Sequence, residues 1–280
     1  MAIVKKKELK AVTCEIDSDG IAWVTFNRPD KRNAMNPQLH YDMEETLWEL
    51  ETDDSAKVVV LTGAGNSWSA GMDLKEYFRE TDNNPEAQFR SFDANKHWSY
   101  DLLTNSRKPS IAMVNGYCFG GAFVALCNCD LAVAAEEATF GLSEVNWGII
   151  PGGIVSKVIA DLMTHRDAMF YAMTGRTFDG KKAAEMKLVN YAVPLAKLKE
   201  DVTNLAKELM EKPPMALAFT KQGVRAVGTM DLWQSYEYLM AKNQALRFVD
   251  RGRNTRDQGI SEFIDKKTYK PGLQSVTAKR

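Results

Sequence analysis

The sequence contains few of the residues that metal and disulfide sites need. Only four cysteines and three histidines occur among its 280 residues. Cys127 and Cys129 are separated by one residue, which is too close for a zinc knuckle, and no second pair matches them. We therefore expect four reduced thiols, with Cys118, Cys127 and Cys129 buried, and no metal site.

Charge of one sign is also missing. The 36 lysines and arginines are balanced by 37 acidic residues, for a net charge of −1, so charge does not favour a nucleic-acid partner. The chain lacks an apolar run of about 18 residues, the length that spans a membrane. Its first residues, with lysines at 5–7 and Glu8, lack a signal-peptide core. These absences predict a soluble, cytoplasmic protein that binds neither nucleic acid nor membrane.

The signature of a serine hydrolase is not present either. No Gly-x-Ser-x-Gly segment occurs, and a Ser-His-Asp triad would need a histidine beside such a turn. His40 and His97 lie among charged and polar residues of helical stretches. We therefore expect both histidines at the surface.

What the chain does contain is an alternation of strand-like and helical segments, which is typical of an α/β domain. Four apolar runs predict strands at residues 21–26, 57–62, 110–114 and 130–134. The first helix is indicated by Asn36 as N-cap, Pro37 in the first turn and apolar residues at every fourth position after it. A further helix should follow the Pro-Gly-Gly at 151–153 and run through Leu162.

The composition changes after Pro194. From Leu198 to Ile264 helix-forming residues replace the β-branched runs, which predicts three or four amphipathic helices, the longest at about residues 231–251. We expect two units. Residues 1–197 would bind and transform the substrate, and residues 198–280 would form a helical subdomain that is too small to be stable alone.

The most informative stretch is residues 115–122, Asn-Gly-Tyr-Cys-Phe-Gly-Gly-Ala, which follows an apolar strand. A glycine pair lets the backbone approach a ligand closely and leaves N–H groups free to bind an anion. Glu144 follows in almost wholly apolar surroundings, where loss of hydration should raise its pKa. Amide donors with one tunable acid–base group suit chemistry beside a thioester carbonyl. Alternatively, the glycines form a tight turn and Glu144 caps a loop.

Residues 66–75, Asn-Ser-Trp-Ser-Ala-Gly-Met-Asp-Leu-Lys, place a second loop of small residues after the strand at 58–62. Together the two loops resemble the paired signatures of the crotonase (enoyl-CoA hydratase/isomerase) superfamily. The resemblance extends from residue 21 to residue 273. It implies an oxyanion hole made by the amides of Met72 and Gly121, with Glu144 as the acid–base group.

The same resemblance implies a fold and an assembly. Crotonase relatives have a core built as a spiral of β-β-α turns, and their C-terminal helices pack across subunits, so a homo-oligomer, either a trimer or a hexamer, is expected. No internal repeat is strong enough to predict the spiral from periodicity. No cofactor is implied, because coenzyme A is part of the substrate and of the product.

Contacts with the acyl-CoA thioester follow from the family pattern. Arg28 and Lys31 become candidate contacts to the phosphates of coenzyme A, for which a flexible point charge is well suited; alternatively, Lys31 is a solvated lysine at a helix entry. Further substrate or coenzyme A contacts are implied at Ala34, Ala70, Gly71, Asp73, Leu74, Lys75, Ala122, Ser143 and Gly152.

Three segments, residues 71–79, 141–148 and 270–274, resemble one subfamily, the hydroxycinnamoyl-CoA (feruloyl-CoA) hydratase-lyases that form vanillin. The resemblance implies that Tyr77 and Trp147 are aromatic walls for a planar phenylpropenoyl group. Alternatively, Tyr77 is an ordinary core or surface aromatic on a helix.

The chain departs from these relatives at two positions. Val124 stands where ordinary hydratases have a second glutamate and where hydratase-lyases have a small hydroxyl residue. Met240 stands where the hydratase-lyases have a tyrosine that contacts the substrate phenol. Glu144 would therefore act without a second carboxylate, in a more apolar aryl pocket that includes Val124 and Met240.

The resemblance therefore implies a hydratase-lyase. It would hydrate feruloyl-, p-coumaroyl- or caffeoyl-CoA and cleave the adduct to an aromatic aldehyde and acetyl-CoA. The alternatives are an acyl-CoA hydratase or isomerase without lyase activity, and a non-catalytic member that binds acyl-CoA.

Overall fold

The structure is a computed structural model that describes residues 2–251, 255–268 and 270. Within these residues the predicted alternation of strands and helices is confirmed. A seven-stranded sheet has the order β1-β2-β3-β4-β6-β8-β11, and a smaller sheet has the order β10-β9-β7-β5. The strands are β1 Ile3–Glu8, β2 Val12–Asp17, β3 Ile21–Phe26, β4 Val58–Gly63, β5 Ser67–Ser69, β6 Ser110–Val114, β7 Tyr117–Phe119, β8 Leu131–Ala135, β9 Thr139–Gly141, β10 Thr177–Asp179 and β11 Tyr191–Val193.

The centre of the large sheet is parallel and buried. Strands β3, β4, β6 and β8 pair in parallel, with Val24 opposite Leu61 and Leu61 opposite Ala112. Every residue of β4 and β6 is buried. A strand covered on both faces has no solvent side, so its sequence reads as a continuous apolar run rather than an alternating one. This is why the strand-like runs were predictable to within one residue.

The small sheet brings three loops to one edge. Strands β5, β7 and β9 are parallel neighbours, and each ends just before a stretch that the sequence singled out. The carboxyl ends of parallel strands meet at one edge of a sheet, where ligands bind in open α/β folds. The loop after β5, the glycine pair after β7 and Glu144 after β9 are therefore neighbours.

The α-helices are α1 Pro37–Thr52, α2 Pro85–Lys96, α3 Leu103–Asn105, α4 Ala122–Asn128, α5 Val155–Leu162, α6 His165–Thr174, α7 Gly180–Glu185, α8 Leu195–Met210, α9 Pro214–Val227, α10 Leu232–Val249 and α11 Thr255–Ile264. Among the described residues, two π-helices, Leu74–Arg79 and His97–Leu102, and the 3₁₀ helix Glu144–Trp147 lie between them, and a second 3₁₀ helix, Pro29–Lys31, precedes α1. Of the described residues, no helix is long and apolar enough to cross a membrane.

The predicted start of α1 is confirmed, and the prediction for His40 inside it is wrong. The Asn36 side chain accepts a hydrogen bond from Leu39 N, and Pro37 is the first helical residue. His40, however, is fully buried. Its Nδ1 accepts a hydrogen bond of 2.9 Å from Trp98 Nε1, and burial lowers the pKa of His40 to about 3. The ring is therefore neutral and belongs to the core. His97, half-buried, hydrogen-bonds to Glu44.

The cysteines differ from expectation in part. All four are free thiols; Cys118 and Cys129 are buried as predicted, whereas Cys127 is only partly buried. Cys14, which faces the core from β2, is buried as well.

Within the described residues, four helices follow Pro194, which agrees with the predicted three or four. Helix α8 begins at Leu195, so the predicted boundary at 197 falls inside it, and its face of Leu198, Val202 and Ala206 is part of the main core. Helix α10 is the longest, and all its residues are described; none of them is buried. The segment 270–274 lies outside the described residues except for Lys270.

Candidate active site

The loop after β5 leaves the Met72 amide free. Met35 N donates to Gly71 O at 2.8 Å, and Asp73 N donates to Met35 O at 2.9 Å, which forms an isolated parallel bridge between Met35 and Met72. In a trans peptide the C=O and the next N–H point in opposite directions. Because Gly71 O faces Met35, the Met72 N–H faces away from it. Among the described residues it donates to no backbone or side-chain acceptor.

The glycine pair after β7 lies directly against this loop. Gly71 has φ +86°, and a Cβ placed on it would be 2.5 Å from Phe119 O and 3.3 Å from Gly121 N. A Cβ on Gly121 would be 2.7 Å from the Met72 Cε. Gly120, with φ +51°, donates its N–H to Gly141 O. The approach of Gly71 to the Phe119 backbone requires glycine, and these contacts bring the amides of Met72 and Gly121 together.

Glu144 is the carboxyl group at this place. It opens the 3₁₀ helix after β9, and a Cβ on Gly120 would be 3.3 Å from Glu144 Oε1. Its Oε2 is buried and has no hydrogen-bond partner among the described residues. Desolvation raises the pKa of Glu144, and its own backbone N–H opposes this only in part. The predicted rise in pKa is confirmed, and Met72, Gly121 and Glu144 lie together.

Val124 lies one turn beyond the glycine pair. It is in α4, its amide donates to Gly121 O at 3.2 Å, and its side chain is buried. An aliphatic side chain at this position offers neither a proton nor a hydrogen bond. The described residues contain no group of three or more His, Cys, Asp and Glu side chains suited to holding a metal ion.

Arg28 is placed differently from a free phosphate contact. Its side chain is 12% exposed, and its guanidinium forms ion pairs with Asp73 (3.0 Å) and Glu76 (2.7 Å). It also donates to Ala34 O at 2.6 Å. Lys31 is exposed at the end of its 3₁₀ turn. Local sequence gave no signal that residues 28, 73 and 76 would meet, because their pairing depends on the path of two loops.

Tyr77 is buried in the π-helix that follows the Met72 loop. Its ring centroid is 5.2 Å from that of His40 and 5.3 Å from that of Phe92. Burial raises its pKa to about 12, partly offset by a hydrogen bond with Asn95. The sequence did not single out these neighbours of Tyr77.

Two residues expected at the aryl end lie at the surface of the chain. Trp147 is 65% exposed and Met240 is 44% exposed. Met240 belongs to α10, which packs on α9 through contacts that include a 2.8 Å hydrogen bond from Lys242 to Gln222. The described contacts of α10 do not place Met240 beside Glu144.

The other predicted contacts divide into two groups. Ala34, Ala70, Gly71 and Asp73 flank the Met35–Met72 bridge, with exposed Leu74 and Lys75 following it, whereas Ala122 and Ser143 adjoin the glycine pair and Glu144. Gly152 is exposed in the turn before α5.

Comparison with known proteins agrees with this geometry. The family model for enoyl-CoA hydratase/isomerase matches residues 17–271. The chain is 52% identical to hydroxycinnamoyl-CoA hydratase-lyase of Pseudomonas fluorescens, over 95% of this chain and 96% of that protein. It is 32% identical to 4-chlorobenzoyl coenzyme A dehalogenase-2 of an Arthrobacter species, over 74% of this chain and 75% of that one.

A solved structure shows the same fold. The enoyl-CoA hydratase of Shewanella pealeana is 25% identical with a TM-score of 0.80, covering 92% of this chain and 95% of that one. The resemblances to the crotonase superfamily and to its hydroxycinnamoyl-CoA hydratase-lyases are confirmed. The chain belongs to the enoyl-CoA hydratase/isomerase family.

Proposed function

We propose that this protein hydrates a trans-hydroxycinnamoyl-CoA and then cleaves the adduct to an aromatic aldehyde and acetyl-CoA. The substrates would be feruloyl-, p-coumaroyl- or caffeoyl-CoA, and the aldehyde is of the vanillin type. One observation carries this proposal: the Glu144 carboxyl, whose Oε2 is buried and has no hydrogen-bond partner among the described residues, lies against the glycine turn that presents the Gly121 amide beside that of Met72. Identity of 52% with a hydroxycinnamoyl-CoA hydratase-lyase supports the choice of substrate.

Hydration begins with polarisation of the thioester. Its carbonyl oxygen accepts hydrogen bonds from the Met72 and Gly121 amides, which withdraws electrons from the conjugated double bond. Glu144 orients a water molecule and takes its proton as the oxygen adds to the β-carbon. The same carboxyl then delivers a proton to the α-carbon. Each amide donor contributes about 10²–10³ in rate, because it is fixed in place before charge develops on the oxygen.

Cleavage reverses an aldol addition at the same site. Glu144 takes the proton of the β-hydroxyl, the oxygen forms the aldehyde C=O, and the Cα–Cβ bond breaks. The electron pair of that bond forms the enolate of acetyl-CoA, whose oxygen is held by the same two amides. Protonated Glu144 returns the proton to the α-carbon, which completes acetyl-CoA.

The buried environment suits Glu144 to both roles. A general acid–base group works best when its pKa is near the working pH, and desolvation moves the pKa of this carboxyl upward from its ordinary value. With Val124 in the place of a second carboxylate, one group must both accept and donate each proton. Coenzyme A enters only as part of the substrate, and the steps above use no other cofactor.

The proposal includes a trimer or hexamer in which the helices after Leu198 pack between subunits. Helix α10 exposes Leu232, Trp233 and Phe248 at 90%, 69% and 65%, and large apolar side chains left uncovered on one helix support an interaction surface there. Light scattering at micromolar concentration should give a mass of three or six chains, and a monomeric mass would contradict this part.

Incubation with feruloyl-CoA tests the activity. Loss of the near-ultraviolet absorbance of the conjugated thioester with release of one aldehyde per acetyl-CoA is the expected result. Loss of absorbance without aldehyde identifies a hydratase that lacks the lyase step, which is the second candidate. No change with any of the three substrates would overturn both.

A further inference from the structure

Arg28 lies between the two segments that form the Met35–Met72 bridge. We propose that Arg28 is a positioning residue for the oxyanion-binding amide of Met72 and does not bind a phosphate of coenzyme A. The proposal rests on the proposed function, since it assigns a role to the amide that this function uses.

The guanidinium holds both sides of the bridge. Arg28 Nη1 donates to Ala34 O at 2.6 Å and to Asp73 Oδ2 at 3.0 Å. Ala34 precedes Met35, and Asp73 follows Met72, so one nitrogen ties together the neighbours of the bridged pair. Any shift of the Arg28 head group moves the peptide that carries the Met72 N–H.

Asp73 transmits this constraint to the π-helix. Its Oδ1 accepts hydrogen bonds from Lys75 N and Glu76 N, at 3.0 and 2.9 Å, and caps the helix. Burial alone would raise the pKa of Asp73, but hydrogen bonds from the Glu76 amide and from Arg28 bring it below its ordinary value. Asp73 is therefore ionised, and its contact with Arg28 is a charge-assisted one.

Glu76 extends the network to helix α1. Arg28 Nη2 donates to Glu76 Oε1 at 2.7 Å, and Asn36 Nδ2 donates to Glu76 Oε2 at 2.6 Å. Asn36 also caps α1 through its Oδ1. The loop that carries the Met72 amide is thus connected to helix α1 through the side chains of Glu76 and Asn36.

The charges of this cluster are unsuited to a phosphate. One guanidinium faces two carboxylates, so a phosphate at Arg28 would meet net negative charge. The Arg28 side chain is also largely covered, with 12% of it exposed. Its planar fork matches the two carboxylates and the carbonyl at once, which a lysine cannot reproduce.

The test compares Arg28→Lys and Glu76→Gln with the wild type on feruloyl-CoA and on its 3′-dephospho-CoA analogue. We expect kcat to fall about 10–100-fold in Arg28→Lys, since a displacement near 1 Å at a reacting group costs about 10²-fold. Glu76→Gln should lose less in the same direction. KM, and the ratio of kcat/KM for the two thioesters, should stay unchanged in both variants.

A phosphate contact predicts the opposite pattern. Arg28→Lys would raise KM for feruloyl-CoA alone if the contact is to the 3′-phosphate, and for both thioesters if it is to the diphosphate. Glu76→Gln would lower KM by removing repulsion. Either result, or an unchanged kcat in Arg28→Lys, overturns the proposal. Arg107→Lys is the matched control, because Arg107 forms a 2.9 Å ion pair with Glu51 on an exposed surface; its kinetics should equal those of the wild type.

Hydrogen exchange separates this proposal from the proposed function. In Arg28→Lys, amides of residues 70–79 should exchange faster than in the wild type, while amides of β4 and β6 stay protected. If the wild type does not consume feruloyl-CoA, the proposed function fails, and the exchange result alone decides the role of Arg28. Unchanged exchange across residues 70–79 would overturn it.

Discussion

Strand β4 and helix α10 differ in whether their apolar residues are buried. All six residues of β4 are buried, whereas none of the residues of α10 is, although all of them are described. Burying one large aliphatic or aromatic side chain is worth about 1.5–3 kcal/mol. Strand β4 obtains this stabilisation inside its own chain, whereas α10 does not. An apolar sequence therefore shows which residues would be stabilised by burial, but not whether the same chain buries them.

The candidate active site lies in the part of the chain that buries its own residues, as β4 does. Loss of its acid–base group should have the largest effect on activity. Glu144→Gln should lower both hydration and cleavage by at least about 10²-fold, the usual contribution of a general acid–base group. Binding of the CoA ester, measured by calorimetry, should remain nearly intact because the amide keeps the shape of the carboxyl. More than about a tenth of wild-type turnover would contradict a mechanism with one carboxylate.

A matched pair of leucines measures the comparison directly. Leu61→Ala, in β4 with no exposed surface, should lower the free energy of unfolding by about 2–5 kcal/mol through lost burial and a cavity. Leu232→Ala, at 90% exposure, should change it by at most about 0.5 kcal/mol within a single chain. Urea denaturation at low and high protein concentration provides the measurement. Equal losses in the two variants at low concentration would refute the comparison.

Met240 belongs to α10, and its replacement should change substrate specificity alone. If Met240 and Val124 face the aryl ring, the pocket has fewer partners for a phenol, and an apolar pocket discriminates weakly. Met240→Tyr should raise the preference for 4-hydroxy over 4-deoxy substrates by about 3–10-fold, as one hydrogen bond is worth about 0.5–1.5 kcal/mol. The measurement is kcat/KM for paired thioesters. A wild-type preference of about 10⁴ or more, typical of a dedicated hydrogen-bonding site, would contradict an apolar pocket.

The smallest expected effect is on the pH dependence of activity. Glu144 must be ionised to accept a proton, and desolvation raises its pKa above the ordinary 4.5. Activity should therefore be present above this raised pKa and fall as the pH decreases through it, so the acidic limb of kcat/KM lies at higher pH than for a solvated glutamate. A pH–rate profile for feruloyl-CoA gives the midpoint. A midpoint at or below 4.5 would be inconsistent with a buried carboxyl.

Local chemistry explains which features could be predicted. Asn36 and Pro37 act on their own helix, and the buried strands reveal themselves by unbroken apolar runs, so both were predicted. Both features depend on residues a few positions apart. The rise in the pKa of Glu144 was predicted from its apolar sequence neighbours, but Val145 and Trp147 are exposed, and the residue beside its carboxyl is Gly120 from another loop.

Features that depend on distant residues could not be predicted in this way. His40 has polar sequence neighbours, yet it is buried against the π-helix that carries Trp98, whose indole donates a hydrogen bond to it. In the sequence Arg28 resembles a phosphate ligand. In the fold Asp73 and Glu76 come from a distant loop and form ion pairs with it. Polarity near a residue in sequence does not determine its surroundings when another segment crosses over it.

The loops that carry the Met72 and Gly121 amides fit closely together, which limits the side chains that residues 72 and 121 can accept. The Met72 side chain fills the volume that Gly121 leaves empty, since a Cβ there would lie 2.7 Å from the Met72 Cε. Because Cε is the far end of a flexible side chain, an alanine at residue 121 would displace the Met72 side chain and not the backbone. The space available at residue 121 therefore depends on the conformation of the Met72 side chain, and a smaller side chain at residue 72 should make a larger one at residue 121 easier to accept.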